Sequence, residues 1–180
     1  MHKRLFFALW PNDDTRRQCH GLATRLGEYG QVVPAANLHV TLVFLGATTV
    51  CQQQALSQVA ASLTIETMTL VFDRLTYWKK PAVACLTASQ GDSRLLPIVD
   101  ALSQAAIDSG MTIDTRPYTP HVTLLRKASP VFPLLFEPVV WCSDQVCLVE
   151  SVTTPDGVRY QVIERWNGGQ QGFSTAVPST

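Results

Sequence analysis

Apolar residues recur at helical spacing in three segments of the chain, which cover residues 13–28, 50–63 and 93–109. Each segment keeps its polar residues on the opposite face, as an amphipathic helix packed on a core does. Asp13 or Asp14 can cap the first helix, Thr49 or Val50 begins the second, and Asp92 or Ser93 can cap the third. We therefore predict three helices.

Between these segments the apolar residues are dense or alternate with polar ones, which is typical of β-strands. The predicted strands are residues 4–10, 38–45, 68–78, 82–87, 119–126, 146–152 and 158–163. Proline or glycine turns join the third strand to the fourth and the sixth to the seventh as hairpins, around Lys79-Lys80-Pro81 and Pro155-Asp156-Gly157. The pattern predicts a mixed α and β structure. We expect one domain over residues 1–167 and a flexible C-terminal tail over residues 168–180, which is polar and rich in Gly, Ser and Thr.

Composition and charge exclude several classes of protein. The 180 residues are 46% hydrophobic and 16% charged, which excludes general disorder. Fourteen basic residues balance fourteen acidic ones, so the net charge is zero. A protein that coats duplex DNA needs a basic surplus. If the protein meets a nucleic acid, we expect it to bind a short piece or one end.

The chain also shows no sign of a membrane, a secretory leader or a zinc site. Its apolar runs are too short to cross a bilayer, and the apolar start at residues 5–10 ends at Pro11 with no cleavage site after it. Five scattered cysteines lack CxxC spacing and nearby histidines. We expect a cytoplasmic protein with reduced thiols and no metal or other cofactor.

One tetrapeptide occurs twice. His39-Val40-Thr41-Leu42 recurs unchanged as His121-Val122-Thr123-Leu124, 82 residues later (121 − 39). Each copy follows a proline-containing loop and opens a predicted strand. Side chains alternate along a strand, so the histidine and threonine of each copy share one face, about 7 Å apart, and the valine and leucine face the core.

The repeat predicts acid–base chemistry on a phosphodiester. One imidazole can accept a proton at neutral pH while the other donates one, and the two hydroxyls can hold the oxygens of an anion. A single His in a strand is more often structural. A structural role, however, gives no reason to repeat His and Thr in the same register. We therefore interpret both copies as functional, in a mechanism that needs no metal.

With its flanking residues, the repeat resembles the 2H phosphoesterase superfamily, whose hallmark is two His-x-Thr-x motifs. It is most similar to the bacterial and archaeal RNA 2′,3′-cyclic phosphodiesterases, formerly called 2′–5′ RNA ligases. The matching segments are residues 4–9, Asn37 to Gly46, Pro117 to Arg126, Arg159-Tyr160 and Arg165-Trp166. The resemblance implies a bilobal, pseudo-twofold α+β fold, with antiparallel sheets lining a central cleft and helices packed outside.

The resemblance also implies a reaction and roles for residues. The reaction is hydrolysis of RNA 2′,3′-cyclic phosphate ends, which leaves a 2′-phosphate; some relatives also join RNA ends by the reverse chemistry. His39 would be the proton donor and His121 the proton acceptor, although the near-symmetric copies do not assign these roles by themselves. Thr41 and Thr123 would hold phosphate oxygens. We expect RNA ends or small cyclic-phosphate nucleotides as partners, no duplex DNA, no membrane, and a monomer.

Three further residues are candidates for substrate binding. Arg126 supplies a positive charge, but strict alternation puts it on the face opposite His121, so it needs a bulge or the end of the strand to reach the cleft. Tyr118 and Phe7 could stack on a base or line the cleft. Core packing is an equal interpretation for Phe7. Lys79-Lys80 is interpreted as a solvated turn, with contact to RNA as the less favoured alternative.

Other functions stay open on the sequence. The same motifs suit another cyclic phosphodiester, such as ADP-ribose cyclic phosphate or an oligoadenylate. A non-catalytic module that binds RNA ends is a second alternative, which the intact His39 and His121 disfavour. A metal-dependent hydrolase is weaker still, because no His, Asp and Glu cluster has ligand spacing.

Overall fold

The computed structural model describes residues 2–130, 134–155 and 157–168. Within them, helices α1 (Asp13–Arg25), α2 (Val50–Ser62) and α3 (Leu95–Asp108) confirm the three predicted helical segments. The strands of the described chain are β1 (Lys3–Leu9), β2 (Gln31–Val32), β3 (Val40–Thr48), β4 (Met68–Trp78), β5 (Val83–Ala88), β6 (His121–Arg126), β7 (Val139–Ser143), β8 (Gln145–Thr154) and β9 (Gly157–Asn167). Of the predicted tail only Gly168 is described; residues 169–180, like Asp156 in the last turn, lie outside the described residues.

Some predicted helix boundaries were wrong. The side chain of Asn12, not Asp13 or Asp14, caps α1 by accepting a hydrogen bond from the Thr15 amide. The helix ends at Arg25, and a short 3₁₀ turn at Gly27–Tyr29 follows it. In the third helix neither Asp92 nor Ser93 is the cap. The carboxylate of Asp92 instead accepts hydrogen bonds from the backbone amide and the guanidinium of Arg94.

All strand pairs are antiparallel, and they form a single sheet in the order β7-β4-β5-β6-β3-β1-β8-β9, with β2 on β6. The sheet consists of two four-stranded halves. We call β9-β8-β1-β3 the first half and β7-β4-β5-β6 the second half. They meet where β3 pairs with β6, so the two strands that carry the repeated tetrapeptide lie side by side at the centre of the molecule.

The helices cover one face of this sheet. α1 packs on β6 and β7, while α3 packs on β3 and on α2, which also contacts β9. The main hydrophobic core fills the space between the helices and the sheet. A small apolar cluster of Phe6, Ala8, Cys147 and Val149 lies apart from that core. These residues belong to the opposite, cleft-lining face of the sheet, because they alternate with core residues along β1 and β8.

Among the described residues, no helix has the length and apolar character that a membrane crossing requires.

Candidate active site

The two copies of the tetrapeptide meet at one residue pair. Val40 of β3 lies directly opposite Val122 of β6, and both are fully buried. The two valines occupy the same position in their copies, so a local twofold axis passes between them. Leu42 and Leu124 are buried as well, as the alternation predicts. The structure thus brings His39, Thr41, His121 and Thr123 together around this axis on the cleft face.

Each imidazole is oriented by a backbone carbonyl two residues earlier. His39 Nδ1 donates to the carbonyl of Asn37 at 2.7 Å, and His121 Nδ1 donates to the carbonyl of Thr119 at 2.8 Å. A carbonyl only accepts, so the proton of the neutral ring is on Nδ1 in both histidines. Each Nε2 then carries the lone pair and is the atom available for proton transfer. Thr41 Oγ1 lies 2.9 Å from His39 Nε2 and donates to it in this state.

Aromatic rings enclose both histidines. The ring of His39 lies 4.8 Å from Phe6, 5.1 Å from Tyr160 and 6.1 Å from Trp10, with which it is stacked. The ring of His121 lies 4.6 Å from Trp78. These rings remove water from the imidazoles and leave their Nε2 edges as the polar part of an apolar wall.

This burial lowers the pKa of both histidines. Desolvation is the main cause that lowers the pKa of His39 to about 4; the Asn37 carbonyl opposes it, and the positive charges of His121 and Arg126 contribute to the lowering. Desolvation likewise lowers the pKa of His121, against the Thr119 carbonyl. The unliganded site is therefore neutral at its imidazoles at pH 7. A bound anion would raise both pKa values, because its negative charge stabilises the imidazolium form.

Matching β-bulges follow the two motifs. Between β1 and β3, Ala8 pairs with Thr41 and Phe7 with Val43, so Leu42 is the extra residue. Between β5 and β6, Cys85 pairs with Thr123 and Ala84 with Leu125, so Leu124 is the extra residue. Each bulge reverses the alternation, and the fifth residue after each histidine returns to the cleft face.

Arg126 is that fifth residue in the second copy, so the bulge it needs to reach the cleft is present. Its Nη2 donates to the hydroxyl of Tyr160 at 3.2 Å, and its charge acts on His39 across the cleft. In the first copy the same position is Phe44, and the guanidinium of Arg4 lies over its ring at 4.9 Å. The pseudosymmetry thus places a cation near both motifs, but from different strands.

The structure does not place Phe7 in the cleft. Its side chain is fully buried in the main core, and its ring lies 6.0 Å from Trp166. Substrate contact by Phe7 is therefore corrected to core packing. Its neighbour Phe6 is the aromatic residue of β1 that faces His39.

Tyr118 connects the two motifs. Its hydroxyl donates to the carbonyl of Thr41 at 2.9 Å, and its half-buried ring packs against the main core. Burial raises the pKa of the Tyr118 phenol, so the hydroxyl stays protonated as a donor. This geometry makes Tyr118 a positioning residue that attaches the loop before His121 to the strand after His39.

Sequence reasoning missed the role of Asn37. Its buried side chain donates from Nδ2 to the carbonyl of Val158 at 2.7 Å and accepts the amide of Tyr160 on Oδ1 at 3.0 Å. Asn37 thereby fixes β9, and with it the ring of Tyr160, next to the histidine that its own carbonyl orients. The signal available in the sequence was the position of Asn37 two residues before His39. Its contacts with Val158 and Tyr160 could not be seen in a local pattern, because these residues lie 121 and 123 positions further along the chain.

Within the described residues, no three His, Cys, Asp or Glu side chains are grouped as ligands for a metal ion.

Known proteins resemble this chain in sequence and in fold. Residues 11–151 match the family model of the 2′-5′ RNA ligase superfamily. The chain is 33% identical to the RNA 2′,3′-cyclic phosphodiesterase of Escherichia coli over 91% of its own length and 96% of that protein. It is 31% identical to the Bacillus subtilis protein of the same name over 49% and 51% of the two chains. The crystal structure of E. coli LigT complexed with 3′-AMP superposes with a TM-score of 0.85 and 30% identity, covering 94% of this chain and all of that one.

The family resemblance of the repeat and the bilobal α+β architecture are both confirmed by these matches. Paired His-Val-Thr-Leu motifs across one central strand pair, on a fold shared over nearly the whole length, place the chain in the 2′-5′ RNA ligase superfamily of 2H phosphoesterases.

Proposed function

We propose that the protein is an RNA 2′,3′-cyclic phosphodiesterase that works without a metal ion. The observation that carries the proposal is the pair of His-x-Thr motifs around one axis. Each histidine donates from Nδ1 to a backbone carbonyl, which leaves a lone pair on Nε2 for proton transfer. The name of the E. coli relative, which aligns over most of both chains, supports the substrate class.

The reaction follows from two Nε2 atoms on opposite sides of a bound phosphate. Nε2 of His121 takes a proton from water as the water oxygen bonds to phosphorus. The bond from phosphorus to the ribose 3′ oxygen breaks, and a proton from Nε2 of His39 neutralises that oxygen. A 2′-phosphate remains, and proton exchange with solvent resets both rings. Which histidine is acid and which is base rests on the family resemblance.

For this step His39 must begin protonated, although its pKa is about 4 in the free site. The bound phosphodiester supplies the negative charge that raises the pKa. Once Nε2 of His39 carries a proton, it no longer accepts the hydroxyl of Thr41, which is then free to donate to a phosphate oxygen. Thr123 and Arg126 complete the set of donors for the non-bridging oxygens, which carry the charge in the transition state.

The same groups can serve a second nucleophile. If an RNA 5′-hydroxyl replaces water as the attacking group, the product is a 2′–5′ linkage between two RNA ends. We include this ligation in the proposal as a consequence of the same acid–base geometry.

The test is product analysis on a short RNA with a 2′,3′-cyclic phosphate end in the presence of EDTA. We expect full hydrolysis, with a 2′-phosphate and a free 3′-hydroxyl as the only product. A 3′-phosphate product would reverse the assignment of the leaving oxygen. Inactivity on every cyclic end, with mononucleotides and RNA alike, would disprove the proposed function, and loss of activity only in EDTA would disprove the metal-independent mechanism.

A further inference from the structure

Arg74 lies on the cleft face of the second half, at a distance from the histidines. In register, Arg74 of β4 is opposite Thr87 of β5, which is opposite His121 of β6. Residues directly opposite one another in a sheet point to the same face, and adjacent strands are about 4.8 Å apart. Arg74 therefore shares the face of His121 and stands two strands, about 10 Å, away from it.

A β-bulge puts Arg74 there. Phe72 pairs with Ala88 and Arg74 with Thr87, so Asp73 is the extra residue. Met68, Leu70 and Phe72 are fully buried in the core, and uninterrupted alternation would bury Arg74 with them. The bulge instead turns the arginine onto the cleft face, as the bulge at Leu124 does for Arg126.

The neighbouring carboxylate of Asp73 makes no ion pair with Arg74. It accepts hydrogen bonds from the amide and hydroxyl of Ser89, at 2.9 and 2.5 Å, and these bonds, with a smaller contribution from the charge of Arg74, lower its pKa. Among the described residues, the ion pairs involve other arginines and lysines, and the exposed side chain of Arg74 is in none of them. Asp73 thus offsets part of the charge of Arg74, but no described ion pair occupies the guanidinium.

Further cations lie on the same half of the molecule. Lys79 and Lys80 are exposed at the tip of the β4–β5 hairpin, and Lys127 is exposed directly after Arg126. The first half carries cations too: the guanidinium of Arg4 lies over the ring of Phe44, Arg159 of β9 is exposed, and Arg165 of β9 donates to Gln145 Oε1 at 3.3 Å and to Cys147 Sγ at 3.7 Å. The second half is distinguished by a row of exposed cations that extends from Arg126 over Arg74 to the hairpin tip and is in no ion pair within the described residues.

We propose that the second half of the sheet binds the RNA strand upstream of the reacting end. Single-stranded RNA would cross β6, β5 and β4, with a backbone phosphate upstream of the end bound by Arg74 and further phosphates near Lys79 and Lys80. Basic grooves hold single strands by their backbone in this way. The inference rests on the proposed function for the identity of the end, but not for the direction of the chain.

The test compares Arg74→Gln with two variants that remove the same charge elsewhere. Arg165→Gln removes it from the first half, and Arg17→Gln removes it from the exposed face of α1, where Arg17 pairs with Asp14. Two substrates are used, a cyclic mononucleotide and a short single-stranded RNA with the same cyclic end. Binding of a fluorescent RNA that ends in a 2′-phosphate is measured in parallel by anisotropy, because it needs no turnover.

For Arg74→Gln we expect the KM for the RNA and the Kd of the fluorescent RNA to rise about 3- to 10-fold, with the mononucleotide unaffected. The slope of log affinity against log salt should become shallower by about 0.7, the value of one phosphate contact on a single strand. Arg165→Gln and Arg17→Gln should leave both substrates unchanged.

Three results would contradict the proposed binding of the RNA strand along the second half. An equal loss for the mononucleotide would place Arg74 at the reaction centre or in the fold. A loss of RNA binding in Arg165→Gln and not in Arg74→Gln would send the chain across the first half, and equal losses in all three variants would reduce the effect to net charge. Failure of the proposed function can be distinguished from these results. The wild type would then be inactive on both substrates, whereas the anisotropy measurement, which needs no turnover, would still test where the RNA strand binds.

Discussion

At the scale of single residues, the site is defined by two imidazoles whose protonation is set by their surroundings. Each ring has its Nδ1 held by a carbonyl, so neither can switch tautomer without losing a hydrogen bond. Burial keeps both rings neutral in the absence of an anion. In the proposed mechanism the substrate supplies the charge that makes one of them an acid.

Replacing either histidine should remove most of the activity. For His39→Ala and for His121→Ala we expect kcat/KM on a cyclic mononucleotide to fall at least about 100-fold, because a positioned acid or base is lost. His20→Ala, on α1, is the matched control and should retain full activity. Steady-state kinetics measure the effect, and full activity in either site variant would remove that histidine from the mechanism.

Arg126 should control the pKa of His39 as well as hold phosphate. Its positive charge lowers that pKa, so Arg126→Gln should raise it above about 4 while burial still keeps it below the ordinary value. A general loss of structure would also raise this pKa, because it would expose the ring to water, so the chemical shifts of distant core residues serve as the control for an unchanged fold. NMR titration of the His39 ring protons measures the pKa. An unchanged or lower value would show that the guanidinium does not act on this imidazole.

At the scale of secondary-structure elements, bulges and loops decide which side chains reach the cleft. The bulges at Leu42, Leu124 and Asp73 each reverse the alternation of a strand. Two of them carry an arginine to the cleft face. The loop before β3 is equally important, because Asn37 links it to β9 on the far edge of the first half.

Asn37→Ala should therefore weaken both the fold and the reaction. Two hydrogen bonds to the backbone of β9 are lost, and we expect the free energy of unfolding to fall by about 1–3 kcal/mol. Tyr160 is then no longer fixed against His39, and kcat/KM should fall several-fold. Urea denaturation and steady-state kinetics measure the two effects.

Thr49→Ala is the matched control for that variant. It removes the side-chain cap of α2, which follows the end of β3 ten residues after His39, at a cost of about 0.5–2 kcal/mol. The control should lose stability and keep its activity. If both variants lose activity in proportion to stability, Asn37 has no specific role in the site.

The elements that could be predicted from the sequence are those with long local patterns. The helices, the β4–β5 hairpin and the paired motif strands all have such patterns, and all were found. β2 has two residues and β7 has five, too few for alternation to show. The sequence could not assign Phe7 to the core or to the cleft, because a dense apolar strand shows no preferred face. Arg126 could be assigned to the cleft only on the condition of a bulge or a strand end, because strict alternation puts it on the opposite face. Tyr160 and Asn37 meet only through tertiary structure, which no local pattern encodes.

At the scale of the whole molecule, the duplicated halves produce one site at their junction. The halves share a single strand pair at Val40 and Val122, and each contributes one histidine, one threonine and its own aromatic wall. The identical motifs are distinguished by what surrounds them, since Arg126 faces the cleft in one copy and Phe44 in the other. In the proposed mechanism this asymmetry distinguishes the roles of the two histidines on a pseudosymmetric scaffold.

The burial of the histidines also links stability to pH. In the unfolded chain His39 titrates near its ordinary pKa of 6.5, whereas in the folded protein its pKa is about 4. Between these values the unfolded state binds more protons, so the free energy of unfolding falls as the pH is lowered from about 6.5 to about 4 and is fully restored above that window. For His39 the loss amounts to at most about 3 kcal/mol, and His121, whose pKa is also lowered, adds to it in the same direction.

His39→Asn should flatten this dependence, because asparagine does not titrate. We expect the difference in unfolding free energy between pH 7 and pH 5 to be smaller in the variant than in the wild type by on the order of 1–2 kcal/mol, with carboxyl groups contributing equally to both. Chemical denaturation at the two pH values measures it, and His20→Asn is the control that should follow the wild type. Parallel curves for wild type and His39→Asn would mean that the folded protein accepts a proton on this ring as readily as the unfolded chain does. In that case an anion would not be needed to charge the imidazole, and the proposed coupling between phosphate binding and the acid would be lost.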